Sequence, residues 1–165
     1  MRSFEGFKPT RYYIAGIPHI GYGFNLNVWP GLADPITQEQ AVSHFEKIVA
    51  ETYEPIVRAA LKRPVSQREF EALVSFVYNT GTASQQLFSK VNNKAPDIVE
   101  FWENWYTTSN GIELPGLRQR RKKEAAHYAS GVGLGSNDAG RWWLWLIGLG
   151  VVAVVVKYRN SKKSV

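Results

Sequence analysis

Apolar positions recur along this chain with two different periods, and the change from one to the other divides it. Between residues 10 and 29, Tyr and Ile are interleaved with the breakers Gly16, Pro18, Gly21 and Gly23. That pattern predicts short strands joined by tight turns, a small antiparallel sheet. From Thr37 onward the spacing lengthens to three and four. Ala41, Val42, Phe45, Ile48 and Val49 form one stripe, with Thr37 placed as N-cap. The stripe continues through Ile56, Val57, Ala60 and Leu61, and Pro55 predicts a kink or a fresh helix start between the two halves.

Ser66-Gln67-Arg68-Glu69 reads as a capping box. It opens the most apolar helix of the chain, through Phe70, Leu73, Val74, Phe76 and Val77, and Gly81 supplies its stop. Short helices are expected near 84–92 and 96–106, the second begun by Pro96-Asp97. Trp102 and Trp105 fall on core positions. A last helix, dense in Arg and Lys, is expected from Leu117 to Ser130. No internal repeat is visible.

Beyond residue 130 the pattern changes again. A glycine-rich linker leads to Arg141, and then Trp142 to Val156 is a run of fifteen uncharged residues, apolar or glycine. As a helix this run spans roughly 22 Å, against ~30 Å for a bilayer's hydrocarbon core. The flanking Arg141, Lys157 and Arg159 can extend it by snorkelling, and the Trp cluster and Tyr158 suit the two interfaces. So uniform a run lacks the polar face of a docked helix, and it is expected to insert in a membrane.

Composition narrows the chemistry. Cysteine is absent, which excludes disulfides, a thiol nucleophile and a thiolate metal site. His19, His44 and His127 have no paired spacing, so neither a metal site nor a cofactor is expected. Residues 1–128 carry 15 Lys and Arg against 13 Asp and Glu, whereas residues 129–165 carry 5 against 1. A balanced domain with a basic tail points to a membrane-proximal end rather than to nucleic acid. The first residues are polar, with no apolar core of a signal peptide.

Four blocks carry a resemblance. They are Phe4-Glu5-Gly6 with Ile20-Gly21-Tyr22-Gly23, then QREFEALVSFVYNTG (67–81), LFSKVN (87–92) and GLRQRRKKEAAHY (116–128). Together, and in this order, they resemble the phage-type lysozymes, the endolysins and muramidases of glycoside hydrolase family 24. The resemblance implies an α+β fold with a small antiparallel sheet lobe and a mainly helical lobe flanking a cleft for peptidoglycan. It implies Glu5 as the general acid that protonates the leaving glycosidic oxygen. It also places Tyr22, Tyr78 and Asn79 where the family meets substrate, with helix capping as the rival role of the last two.

The departures from the family pattern fall on its catalytic positions. Ile14 stands where the family has an Asp, His19 where it has a Thr before Ile-Gly, and Phe24 where a His follows Gly-Tyr-Gly. Between Glu5 and Asp34 there is no other carboxylate, although the usual glycosidase mechanism uses two. Three readings stay open. His19 can replace the missing carboxylate as base or nucleophile; the enzyme can be a lytic transglycosylase, in which the sugar's 6-hydroxyl closes on the anomeric carbon and one Glu suffices; or the fold can be an inactive structural or assembly module. Tyr12 and Tyr13 are expected to pack, and Glu124 to pair with Arg121 three residues before it.

The expected organisation is a peptidoglycan-cleaving domain at 1–130, a linker at 131–141, a transmembrane helix at 142–158 and a basic tail at 159–165. The expected activity is cleavage of the β-1,4 bond between N-acetylmuramic acid and N-acetylglucosamine. The implied partners are peptidoglycan glycan strands, a lipid membrane held through residues 142–158 and other virion proteins, with no nucleic acid. A terminal anchor suits a virion membrane protein that opens the wall at entry, and a host-inner-membrane endolysin used for lysis is the alternative.

Overall fold

The computed structural model describes residues 6–109 and 111–133 of the chain. Glu5, most of the linker, the apolar segment 142–158 and the basic tail lie outside the described residues. Among the described residues no helix is long and apolar enough to cross a membrane.

The short-period region folds as a three-stranded antiparallel sheet of β1 (Lys8–Ile14), β2 (Ile17–Gly21) and β3 (Phe24–Asn25), in that order. Ala15 and Gly16, both at positive φ (49° and 79°), form the two-residue connection between β1 and β2. Positive φ at both positions matches the turn whose twist fits a hairpin. The register sets Tyr12 opposite His19 and Ile14 opposite Ile17.

The helical part begins with α1 (Gln38–Ile48), capped as expected by Thr37, whose hydroxyl accepts from the Gln40 amide at 3.2 Å. A π-helical turn at Val49–Tyr53 then leads into α2 (Glu54–Ala60). The expected break at Pro55 is thus resolved upstream of the proline. Pro55 has no N–H to continue the ladder, so the widened turn absorbs the defect and α2 restarts with Pro55 in its first turn.

Next come α3 (Gln67–Thr80), α4 (Gln85–Asn92), α5 (Ile98–Asn104) and α6 (Pro115–Gly131). The capping box of α3 is complete. Ser66 N–H donates to Glu69 Oε2 at 2.7 Å and Glu69 N–H to Ser66 Oγ at 3.3 Å. Gly81 closes the helix at φ 72°. Phe70, Leu73, Val74, Phe76 and Val77 are buried, so α3 is the central helix, packed along α6.

Two expectations are corrected in the stretch after α4. The helix foreseen at 96–106 is shorter, because the backbone turns extended at Trp105 and left-handed at Tyr106 (φ 56°). A two-stranded hairpin, β4 (Thr108–Ser109) with β5 (Ile112–Glu113), follows it. Trp102 is fully buried, whereas Trp105 is partly buried against the core.

Candidate active site

The candidate site has two parts, the β1–β2 hairpin and a helical wall made by the C-terminal end of α3 and the middle of α6. On the sheet side, the Tyr12 and His19 rings lie with centroids 5.8 Å apart and an interplanar angle of 31°. His19 is buried, and its Nδ1 lies 2.8 Å from the Ile17 carbonyl. A carbonyl can only accept, so Nδ1 carries the proton and Nε2 is the basic nitrogen of the neutral ring.

On the helical side, Tyr78 packs edge-on to Phe45 at 5.3 Å and to Tyr53 at 5.0 Å. Burial drives the Tyr78 phenol well above its ordinary value; Tyr53 and Tyr12 add to the rise and Arg120 opposes it. The influence of Tyr12 on Tyr78 puts the sheet within electrostatic range of the helical wall. Tyr12 and Tyr53 are likewise raised by burial.

Behind Tyr78 lies a buried charge network. Glu124 Oε1 accepts from Ser75 Oγ at 2.6 Å, from Arg120 Nε at 3.0 Å and from Arg121 Nη2 at 3.0 Å. Arg121 Nη2 also donates to Asn79 Oδ1 at 2.9 Å, and Trp102 Nε1 reaches Glu124 Oε2 at 3.4 Å. Arg121 Nε stands 2.9 Å from Glu124 Oε2, an ion-pair contact without hydrogen-bond alignment, and its Nη1 has no hydrogen-bond partner. The Arg121 guanidinium instead rests over the Phe76 ring at 5.0 Å. Burial lowers the Arg121 pKa, which Glu124 counteracts. Two arginines and one glutamate leave this trio with one surplus positive charge at the helical wall.

The structure therefore sorts the expected residues. His19, Tyr78 and Asn79 belong to the walls just described, with Asn79 held by Arg121 from α6. Tyr22 does not. It has no exposed surface and packs among Phe7, Phe24 and Phe45, with Gln38 Nε2 at 3.5 Å from its hydroxyl. That corrects the expectation that Tyr22 touches glycan: three aromatic neighbours make it part of the core. Asp34, the next carboxylate after Glu5, is engaged by Arg11 at 3.4 Å and accepts from the Arg11 amide, so it is committed to holding β1. Arg120 and Ser75 are the parts that sequence spacing did not single out. Arg120 stands four residues before Glu124, a helical pairing distance that signals it, whereas Ser75 carried no signal.

This two-lobed α+β arrangement, a short hairpin sheet facing a helical lobe, is a lysozyme-like fold. Residues 2–124 match the Phage lysozyme family, and the chain belongs to that family. It is similar to the muramidase domain of SpmX from Asticaccaulis excentricus, with a TM-score of 0.64 and 25% identity, over 77% of this chain and 90% of that one. It is 29% identical over 138 residues to an endolysin of Acyrthosiphon pisum secondary endosymbiont phage 1, covering 79% of this chain and 92% of the relative. An endolysin of Bacillus phage PZA is 32% identical over 138 residues, and there the chain spans about half the relative's length, 52%. By family the chain is an enzyme, a glycosidase of the lysozyme type.

Proposed function

We propose that the chain cleaves the β-1,4 glycosidic bond between N-acetylmuramic acid and N-acetylglucosamine in peptidoglycan, with Glu5 as general acid. The observation that carries this reading is the pairing of a family-type wall, Tyr78 and Asn79 backed by the Arg120–Arg121–Glu124 network, with the Tyr12–His19 face of the hairpin. In this reading His19 takes the place of the absent carboxylate. Its Nδ1 is committed to Ile17, which leaves Nε2 to take a proton from the attacking water. Tyr78 and Asn79 contact the glycan. Residues 142–158 tether the enzyme to a lipid membrane, in a virion whose entry requires local opening of the wall.

One observation favours a second reading, lytic transglycosylation. His19 is buried beneath Tyr12, so it is less open to water than a base should be. A mechanism that uses the substrate's own 6-hydroxyl needs only Glu5.

Full-length protein incubated with peptidoglycan decides between them by mass spectrometry of the fragments. Reducing-end N-acetylmuramic acid marks hydrolysis and a 1,6-anhydro end marks transglycosylation. Glu5→Gln is expected to lower either rate by roughly 10²–10⁴-fold. His19→Gln should cost a similar factor in the hydrolytic reading and leave the rate nearly intact in the other. A wild-type chain that yields neither product would sink both.

A further inference from the structure

The end of α3 opposite the cleft carries a surface that neither reading uses. A groove of about 630 Å³ runs over the α2–α3 junction, floored by Leu61, Val65 and Phe70 and rimmed by Arg58, Lys62 and Arg63. Arg63 is occupied structurally, donating to Glu69 at 2.8 Å and to the Tyr128 hydroxyl at 2.9 Å. Arg58 and Lys62 are exposed, Arg58 lying over Phe70 at 4.4 Å with Glu54 as its ion-pair partner. Arg68, the second residue of α3, is also exposed.

The chain leaves the domain at this same place. A Cβ built on Gly131, the last residue of α6, would lie 2.6 Å from Ser66 Oγ and 2.7 Å from Arg68 Cβ, and Ser66 lines the groove. Arg68 Nη1 reaches Ser130 Oγ at 3.4 Å. Only residues 134–141 separate the described domain from Trp142, where the fifteen-residue apolar run begins. Eight residues span at most about 28 Å. The chain thus leaves the domain beside the cationic groove, with Tyr78 and Asn79 roughly 20 Å away along the fourteen residues of α3. The linker lets this face reach a bilayer, and its charge selects it.

We propose that the Arg58–Lys62–Arg68 face is a docking surface for an anionic lipid bilayer, which holds the domain with its cleft directed away from the membrane and toward the wall. The inference rests on the reading of residues 142–158 as a membrane tether. Charge complementarity selects the partner. The exposed cations meet lipid phosphates, and the apolar floor accepts the glycerol and upper acyl region that polar ligands would leave unfilled. A tether alone leaves the domain free to tumble within the linker's reach, and docking gives it one orientation.

The chain has no cysteine, so single labels are clean. Full-length protein carrying a fluorophore at Ala59→Cys, on the exposed side of α2, or at Thr10→Cys, on β1, would be reconstituted in vesicles containing headgroup-nitroxide lipid. In phosphatidylglycerol-containing vesicles the Ala59 label should be quenched and the Thr10 label spared. Pure phosphatidylcholine vesicles should show little contrast. Arg58→Gln/Lys62→Gln/Arg68→Gln should remove the contrast, since each cation near an anionic surface contributes roughly a fivefold preference. High salt on the wild-type labelled chain should do the same without any change of sequence. Equal quenching at both sites, or contrast that survives both the triple variant and salt, overturns the proposal. Release of the chain from phosphatidylcholine vesicles by a salt wash would overturn the tether instead. Contrast at Ala59 on anionic vesicles at low salt would then still support the face, and its absence would overturn it.

Discussion

Gly21 occupies a position that tolerates no side chain. Its φ is 63°, and a Cβ there would stand 2.9 and 3.0 Å from two carbons of the Phe24 ring. Phe24 cannot yield freely, because Tyr22 meets it edge-on at 6.4 Å and His44 at 4.8 Å. Gly21→Ala should therefore destabilise by about 2–4 kcal/mol, adding backbone strain to overpacking, as read by the thermal midpoint. Glu124 shows the same logic for charge. Glu124→Gln would leave two buried guanidinium groups facing a neutral amide, and a loss of about 3–5 kcal/mol is expected in denaturant titration. A loss below about 1 kcal/mol would mean that the network is hydrated. Part of this was legible in sequence, since Arg121 and Glu124 stand one turn apart. The hydrogen bond from Ser75 was not, because no spacing rule links residues separated by 49 positions on different helices. Tyr22 was misread for a related reason. Its role was carried over from the family motif, and a motif does not show that tertiary packing brings Phe7 and Phe45 onto this Tyr.

At the scale of elements, the helices that announced themselves did so through caps. Thr37 and Ser66 both stand three residues before a side chain able to return the bond, and both boxes close. The π-helical turn before Pro55 and the β4–β5 hairpin did not announce themselves. Two-residue strands offer no alternation to detect, and a widened turn keeps the three-and-four spacing of its neighbours. The junction of α3 and α6 yields a prediction of coupling. Ser66→Ala removes a cap and should cost about 1 kcal/mol. Gly131→Ala drives a methyl toward Ser66 Oγ and Arg68 Cβ, and overpacking of about 1–3 kcal/mol is expected. Removing the Ser66 hydroxyl takes away the closer of those two contacts. The double variant should then lose less than the two single losses together, a coupling that a double-mutant cycle measures. Strict additivity would show that α6 retreats from α3 instead.

The whole molecule couples these parts to pH through two groups in different places. His44 sits between Phe24 and Trp29 with Nε2 buried and without a hydrogen-bond partner. Burial, then Lys47, lowers its pKa below the ordinary 6.5. The folded state therefore resists a proton that the unfolded chain accepts, so stability is complete above 6.5 and declines as the pH falls from there toward the folded value. Glu69, under the Arg63–Tyr128 clamp, acts at lower pH. Burial pushes its pKa up, but hydrogen bonds from Arg63 and the Ser66 amide outweigh that and set it below the ordinary 4.5. Its contribution is present above 4.5 and is lost as the pH falls through the depressed folded value. Urea midpoints measured from neutral pH downward should thus fall in two stages. His44→Phe should flatten the first and leave the second, because a phenyl ring keeps the edge-on contacts and has no proton to refuse. Glu69→Gln should flatten the second, from a lower plateau, because the amide keeps the shape of the capping box but gives up the charge that holds Arg63. A first stage that persists unchanged in His44→Phe would assign it to another group, and the local account of His44 would fail.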